Sequence, residues 1–466
     1  MPPTEYQYLC LKCGRQYPGS LTADSFRLRC DDCGDQTLLE AQYAIPLGAT
    51  SPEAAWKSLH FDLEDTSFFR YRSWLPVHRS FAKASLPGLL RSEAIAQKFG
   101  LKDLDILFSG YDPELGSDIR SLTFKEFEAH SVFAYVRDCC AEGRILVVAS
   151  AGNTARAFAE VALRENLAVL LVVPDVSLRD MQLSLPIKED SKVVFVAGTH
   201  KYDGKPSEYE EAIAIAKILS DSPHFFPEGG VRNIARRDGL GVGYLHAQYS
   251  RYLRRPDVAP YRYYFQAIGS GTGAIGSYSM YKRLKRAGCI PEGHQFSLML
   301  GQNAPFIPVV EHWREKRSDF RPYETQESLE RNGQILAPVL GNRNPPYAIT
   351  GGLADLLREC DGDAFAIENT EVAEMQELFA AEAGLDLVPA AAVAAGALRR
   401  AASEGRIDRE APVLLHLTGG GQNKLDRDFP KRYSVRAART VDLTDLQRFP
   451  EQQRELIRDI ERLFHF

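Results

Sequence analysis

Four cysteines, one lysine and three glycine-bearing loops are the residues of this chain whose types and spacing can do chemistry. Cys10 and Cys13 form one CxxC pair, Cys30 and Cys33 form another, and residues 14–29 separate the two. This is the spacing of a four-thiolate zinc ribbon, in which two knuckles close a tetrahedral shell around the ion. Gly14 and Gly34 directly follow the second cysteine of each pair, where a glycine lets backbone N–H groups approach the sulfurs. Four soft thiolates leave no open coordination position, so the zinc expected here is structural. A redox pair, or a site that has lost its metal, is the alternative reading of the same residues.

The loops point to anions. Ser150-Ala151-Gly152-Asn153-Thr154 follows the apolar run ILVVA and opens into a helical pattern. Free N–H groups at a helix start attract negative charge, and Ser150 and Thr154 add hydroxyl donors. An ordinary capped turn has the same look. Gly269-Ser270-Gly271-Thr272-Gly273 also joins an apolar strand to a helix. Its glycines let the backbone come close to a phosphate, and the helix dipole favours the charge. It is not a Walker loop, because no Lys-Ser/Thr follows, and GSGTGAIG does not keep the GxGxxG spacing from its first glycine. In LTGGGQN, Thr418 ends a strand and offers a hydroxyl to a ring nitrogen; the plainer reading is a strand end with turn glycines. Lys125 stands in SLTFKEFEAH at a helix start, with Thr123 near the cap. In an apolar pocket its amine form is favoured, which suits Schiff-base chemistry. Taken alone, it reads as a solvated helix lysine.

The elements that must hold these residues alternate strand and helix. The pattern predicts a helix from about Thr123 to Glu142, strands at 145–150, 167–173 and 192–198, and a helix at 207–219. It continues with a strand at 263–269, a helix at 274–287, strands at 296–302 and 364–368, helices at 370–383 and 388–402, and a strand at 413–417. The strands are short and continuously apolar, as when helices cover both faces of a parallel sheet, so the fold class is α/β. The three loops then share the carboxyl ends of strands, where open sheets bind ligands. Residues 440–466 read as an amphipathic helix. Residues 1–42, short and polar, read as a separate module.

Composition narrows the partners. The 466 residues are 44% hydrophobic and 25% charged with a net charge of −6, ordinary globular values that argue against nucleic acid as a partner. The N-terminus MPPTEYQYLC has no signal-peptide pattern, and no segment reaches the ~18 apolar residues that span a bilayer. Cys139, Cys140, Cys289 and Cys360 are scattered and make no disulfide framework, so a reducing cytoplasm is expected and a membrane is not.

The ordered set SLTFK, SAGNT, GSGTG and LTGGG resembles the fold-type-II (tryptophan synthase β-like) pyridoxal 5'-phosphate enzymes, threonine synthase among them, a group that commonly carries an N-terminal zinc ribbon. RYRSWLPV, SAGNTARAFAEVA, PEGGVRNIARRDGLG, FQAIGSGTGAIG, QNAPFIPV and NPPYAITGGL, from about residue 70 to 425, resemble its cysteate synthase branch; TFKEFEA departs from the GSFKDRG more usual in threonine synthases. The resemblance implies two α/β domains with open twisted sheets: 43–120 with 240–430 as the larger, cofactor-binding one, 121–239 as a smaller mobile one, and 431–466 as a helical tail. It implies that Lys125 forms the internal aldimine, that Asn153 faces the 3'-oxygen, that Gly269, Ser270, Gly271, Thr272 and Gly273 hold the 5'-phosphate, and that Thr418 bonds to the pyridine nitrogen. Ser150, Ala151, Gly152 and Thr154 hold the substrate carboxylate in this picture. Arg156 and Arg232 serve the oxyanions, Arg236 and Arg237 are further candidates, and Tyr347 lines the substrate side. The implied reaction is a β-replacement of the phosphate of O-phosphoserine by sulfite through an aminoacrylate, in a homo-oligomer. Threonine synthesis from O-phosphohomoserine, a different nucleophile, and a non-catalytic zinc-ribbon binding protein are the alternatives.

Overall fold

The computed structural model describes residues 5–19, 26–139, 143–150, 152–179, 181–199 and 209–466. Two sheets dominate it. The six-stranded sheet runs, edge to edge, Asp363–Ile367, Ser297–Asn303, Tyr263–Ala267, Val413–Leu417, Leu104–Phe108 and Gly88–Leu90. Every neighbouring pair is parallel except the last. The five-stranded sheet, parallel throughout, runs Phe225–Pro227, Ile145–Ala149, Val169–Pro174, Val193–Thr199 and Arg439–Asp442. The central strands ILVVA and VLLVVP are almost wholly buried, which is why they show no polar alternation.

The helix that carries Lys125 spans Lys125–Cys139. Its entry is tight: Leu122 takes a left-handed φ of 58°, and the chain docks against the loop after Val413–Leu417. Phe124 N donates to Thr418 O at 3.0 Å and Gly420 N to Leu122 O at 3.2 Å. A Cβ on Gly419 would lie 2.3 Å from Leu122 O, so glycine is required for this approach.

The sequence reading assigns no element between 220 and 262, yet this stretch holds the 21-residue helix Ile234–Arg254. Asn233 caps it, accepting from Ala235 N at 2.9 Å. The helix lies against Lys125–Cys139 and Thr272–Arg286 at backbone distance. A Cβ on Gly239 would sit 2.7 Å from Phe127 O, and one on Gly276 2.0 Å from Arg237 O.

The N-terminal module is a three-stranded antiparallel sheet of Gln16–Pro18, Tyr6–Cys10 and Leu39–Tyr43. It packs on the body: Tyr8 and Tyr135 share a hydroxyl hydrogen bond, and Tyr43 Oη donates to Asp238 at 2.6 Å. The C-terminal tail corrects an expectation. The pattern over 440–466 predicts helix, but Arg439–Asp442 first extends the five-stranded sheet. Two helices follow, Leu443–Arg448 and Pro450–Leu463, because Pro450 cannot continue the first and starts the second at its N1 position.

Candidate active site

The three loops and the lysine converge on one open cleft with about 180 Å³ of room for water-sized molecules. Its walls include Thr123–Lys125, Ser150, Gly152–Thr154, Gly269–Gly273 and Thr418. The loops follow the strands Ile145–Ala149, Tyr263–Ala267 and Val413–Leu417, so all three lie at carboxyl ends of parallel strands. Ala151 lies outside the described residues.

Each loop is shaped for its place. Gly271 has φ 71°, and a Cβ there would come within 2.5 Å of Leu353. A Cβ on Gly273 would meet Gln266 and Phe124 at 2.6 Å. The helix Thr272–Arg286 begins inside the glycine loop, earlier than the expected 274, which puts Thr272 and Gly273 in its first turn, where N–H groups have no partner within the helix and Thr272 N reaches Ser270 Oγ at 3.5 Å. Ser270 and Thr272 hydroxyls lie 2.8 Å apart at the same rim. This cradle fits a phosphate. In the second loop, Ser150 Oγ accepts from Gly152 N at 3.2 Å and Ala155 N at 3.1 Å, fixing the turn that presents Asn153.

Lys125 sits 15% exposed at the cleft, its Nζ 5.1 Å from the centre of the Phe124 ring. Burial pushes its pKa below the usual lysine range. The charge of Glu128 opposes that shift, and the charge of Arg236 adds to it. Lys125 Nζ donates to Glu128 Oε2 at 3.1 Å, and Arg236 Nε lies 3.0 Å from the same oxygen. Thr154 Oγ1 donates to the other oxygen at 2.8 Å, so the fully buried Glu128 ties the lysine, the Ser150–Thr154 loop and Arg236 together. Arg236 Nη1 also donates to Glu228 Oε2 at 2.8 Å. Burial works against its charge, but Glu128 and Glu228 outweigh that and raise its pKa. A buried amine, a phosphate cradle and a carboxamide in one cleft fit an aldehyde cofactor with a phosphate arm.

Below the cleft, Tyr264 Oη donates to Gln266 Oε1 at 2.9 Å and lies 2.6 Å from His416 Nδ1. His416 Nε2 reaches Ser109 Oγ at 2.8 Å. Burial pushes His416 down to about 3, so the ring is neutral and this floor is uncharged at physiological pH.

Three expected substrate residues are not in the cleft wall. Arg156 stands one turn inside the helix Asn153–Glu165, behind the wall, with Nη2 donating to Asn153 Oδ1 at 3.1 Å. Arg232 turns toward the N-terminal module, donating to Asp35 O at 3.0 Å and pairing with the Asp35 carboxylate at 3.1 Å. Tyr347 is buried in a ring cluster with His312 and Phe320, its Oη donating to Arg317 O at 3.3 Å. Arg237 is buried against Leu39 O and Val231 O. Sequence reasoning left Glu128, Tyr209, Gln266 and the Pro338–Asn342 segment out of the site, although all but Glu128 line it. Only Glu128 had a signal, a second acid one helical turn after the lysine.

The four cysteines do come together: their Sγ atoms all lie within 4.8 Å of one another, a set able to hold a metal ion. Among the described residues, no helix is long and apolar enough to cross a membrane.

A family model described as pyridoxal-phosphate dependent enzyme matches residues 118–419. A protein named cysteate synthase from Methanosarcina acetivorans is 36% identical over 422 residues, covering 90% of this chain and 93% of its own. One of that name from Methanosarcina barkeri is 35% identical over 442 residues, covering 95% and 98%. One from Methanocorpusculum labreanum is 37% identical over 408 residues, covering 86% and 94%. Among solved structures, a pyridoxal 5'-phosphate-dependent aspartate racemase aligns with a TM-score of 0.52 at 15% identity, over 74% of this chain and 92% of that one. The processed form of threonine deaminase isoform 2 from Solanum lycopersicum aligns with a TM-score of 0.51 at 13% identity, over 73% and 87%. At such identities the structural likeness speaks for the fold alone.

Proposed function

The chain belongs to the pyridoxal-phosphate-dependent enzymes, within the family of relatives named cysteate synthase, and on that premise we propose that it exchanges the phosphate of O-phospho-L-serine for sulfite, giving L-cysteate and phosphate. The observation that carries this reading is the cleft: one buried amine and one guanidinium bridged by Glu128, between two helix starts suited to anions.

Lys125 would be the attachment point of the cofactor, Gly269–Gly273 would hold its phosphate arm, and Asn153 and Thr418 would serve its 3'-oxygen and ring nitrogen. When bound, pyridoxal phosphate supplies an electron sink for the pair released at the substrate Cα. Ser150, Gly152 and Thr154 orient the substrate carboxylate at the start of the helix Asn153–Glu165. The Lys125 amine would take the proton from the substrate Cα. The Cβ–O bond breaks and phosphate departs with its electron pair. Arg236, held by Glu128, Glu228 and Thr154, brings its positive charge and remaining N–H groups to the leaving oxyanion. The sulfur lone pair of sulfite then forms the new bond at Cβ, and Lys125 returns the proton to Cα. Thr418, a hydroxyl in place of a carboxylate, would bring no negative charge to hold a proton on the ring nitrogen, which would favour prompt loss of the β-substituent. The four cysteines hold one structural zinc.

The test offers the purified protein with its cofactor either O-phosphoserine or O-phosphohomoserine, each with and without sulfite, and reads the products by mass spectrometry. Cysteate formed only from O-phosphoserine plus sulfite is the expected result. Threonine from O-phosphohomoserine overturns it in favour of threonine synthesis. Pyruvate and phosphate without cysteate overturn the choice of nucleophile.

A further inference from the structure

Behind the Asn153 wall, two half-buried arginines have buried donor atoms with no acceptor. Arg156 Nη2 is taken by Asn153 Oδ1, but its Nε is buried and unpartnered. Arg432, its side chain 10% exposed, has Nε and Nη1 buried without a hydrogen-bond partner, while Nη2 donates to Gln182 O at 3.4 Å. The fold brings the two together. Gln182–Leu183 pairs with Tyr433–Ser434, directly after Arg432. Ser184, next along, donates through N and Oγ to the two oxygens of Glu160, one turn beyond Arg156 on the same helix.

Among the described residues, the neighbouring carboxylates are engaged elsewhere. Both oxygens of Glu160 face Ser184. Glu126 accepts from Ser121 N and from Arg164. Asp426 stands 3.8 Å from Arg432 Nη1, half exposed, and already accepts from Gln422. Burial, with the like charge of Arg432 adding to it and Glu160 opposing, holds Arg156 down at about 10. Buried N–H groups without acceptors and two neighbouring positive charges both cost free energy, and one anion between them relieves both.

We infer that Arg156 and Arg432 form a second oxyanion site beside the cleft, one that takes a phosphate- or sulfite-sized anion between two guanidinium forks. The site stands on this geometry. Its link to catalysis rests on the proposed reaction, in which phosphate leaves and sulfite enters through an enzyme that must hold one while the other is exchanged. Because Arg156 also grips Asn153 Oδ1, an anion here bears on how the carboxamide is presented to the cleft.

The experiment titrates the cofactor-loaded protein by calorimetry with inorganic phosphate and, separately, with sulfite, for the native chain and for Arg432→Gln and Arg432→Lys. Binding to the native chain should weaken at least tenfold in Arg432→Gln and less in Arg432→Lys, with the visible cofactor absorbance unchanged in both. A tenfold rise in the KM for sulfite at little-changed kcat places the site in the reaction. Loss of phosphate binding with unchanged sulfite kinetics makes it a separate phosphate site, and still supports the inference. Unchanged affinity for both anions in Arg432→Gln overturns it. Native crystals of the loaded protein soaked in selenite need no variant: anomalous density between Arg156 and Arg432 supports the site, and its absence from the pair overturns it. If no cysteate forms, the proposed reaction fails while these binding results stand by themselves.

Discussion

Glu128 is the carboxylate that Lys125 Nζ reaches, and its charge works against the burial that favours the free amine. Condensation with an aldehyde needs the free amine. Burial favours that form and lowers the pKa of Lys125, whereas the Glu128 charge favours the ammonium and raises it. Replacing Glu128 by Gln removes the raising influence and leaves the lowering ones, so the amine predominates at lower pH. We expect the pH midpoint for cofactor uptake by the stripped protein to move down in Glu128→Gln, followed as growth of visible absorbance across a pH series. A midpoint that stays put or moves up would sink this account. In Lys125→Ala we expect neither that absorbance nor turnover, and a native-like band there would remove Lys125 from its role.

At the scale of elements, the helix Ile234–Arg254 holds Arg236 in the cleft, and it does so by backbone contact with its neighbours. Gly241 and Gly276 face each other across the contact with Thr272–Arg286: a Cβ on Gly241 would lie 2.5 Å from Gly276 O, and one on Gly276 2.0 Å from Arg237 O. Backbone cannot yield as a side chain tip can. Gly276→Ala should therefore cost about 1–3 kcal/mol of stability or more, measured by urea unfolding, and should raise the KM for the phosphate ester because the displaced backbone adjoins Arg236. Unaltered stability would refute the contact. The same helix shows where the sequence stops being readable. The apolar strands and the turns after them were legible, because continuous burial leaves runs such as ILVVA and because glycines mark close approaches. A helix packed through Gly239, Gly241 and Gly276 has no such trace: its contacts are made by backbone, and it carries Arg236, Arg237 and Asp238 on buried positions where periodicity leads one to expect apolar side chains. Arg232 and Tyr347 were misplaced for a related reason, since a motif gives a residue its place in the chain but not the direction of its side chain.

At the scale of the whole molecule, the N-terminal module is joined to the segment that carries Arg236. Arg232 donates to Asp35 O and Thr37 O, Arg237 to Leu39 O, and Tyr43 to Asp238, so three residues of the 232–238 segment hold on to the stretch 35–43 that follows Cys33. Thr350 N donates to Gln36 O at 3.0 Å and Leu38 N to Thr350 O at 3.0 Å, which ties the same strip of module to the segment leading from the Pro338–Asn342 wall. Cys30 and Cys33 directly precede that strip, so an ion on the four sulfurs would fix its conformation, with the folding free energy of about 10 kcal/mol that structural zinc supplies to small ribbons. Freshly purified protein, never exposed to chelator, should contain about one zinc per chain. Stripping it should lower the melting temperature. It should also raise the KM for the phosphate ester while the visible absorbance of the cofactor persists, because Lys125 and Gly269–Gly273 are anchored in the body whereas Arg232, Arg237 and Asp238, which flank Arg236, lean on the module. Zinc-free protein with native KM and melting temperature would make the module a bystander to the cleft. Loss of cofactor before any change in KM would move the dependence from Arg236 to the Lys125 helix, through the contact of Tyr8 with Tyr135.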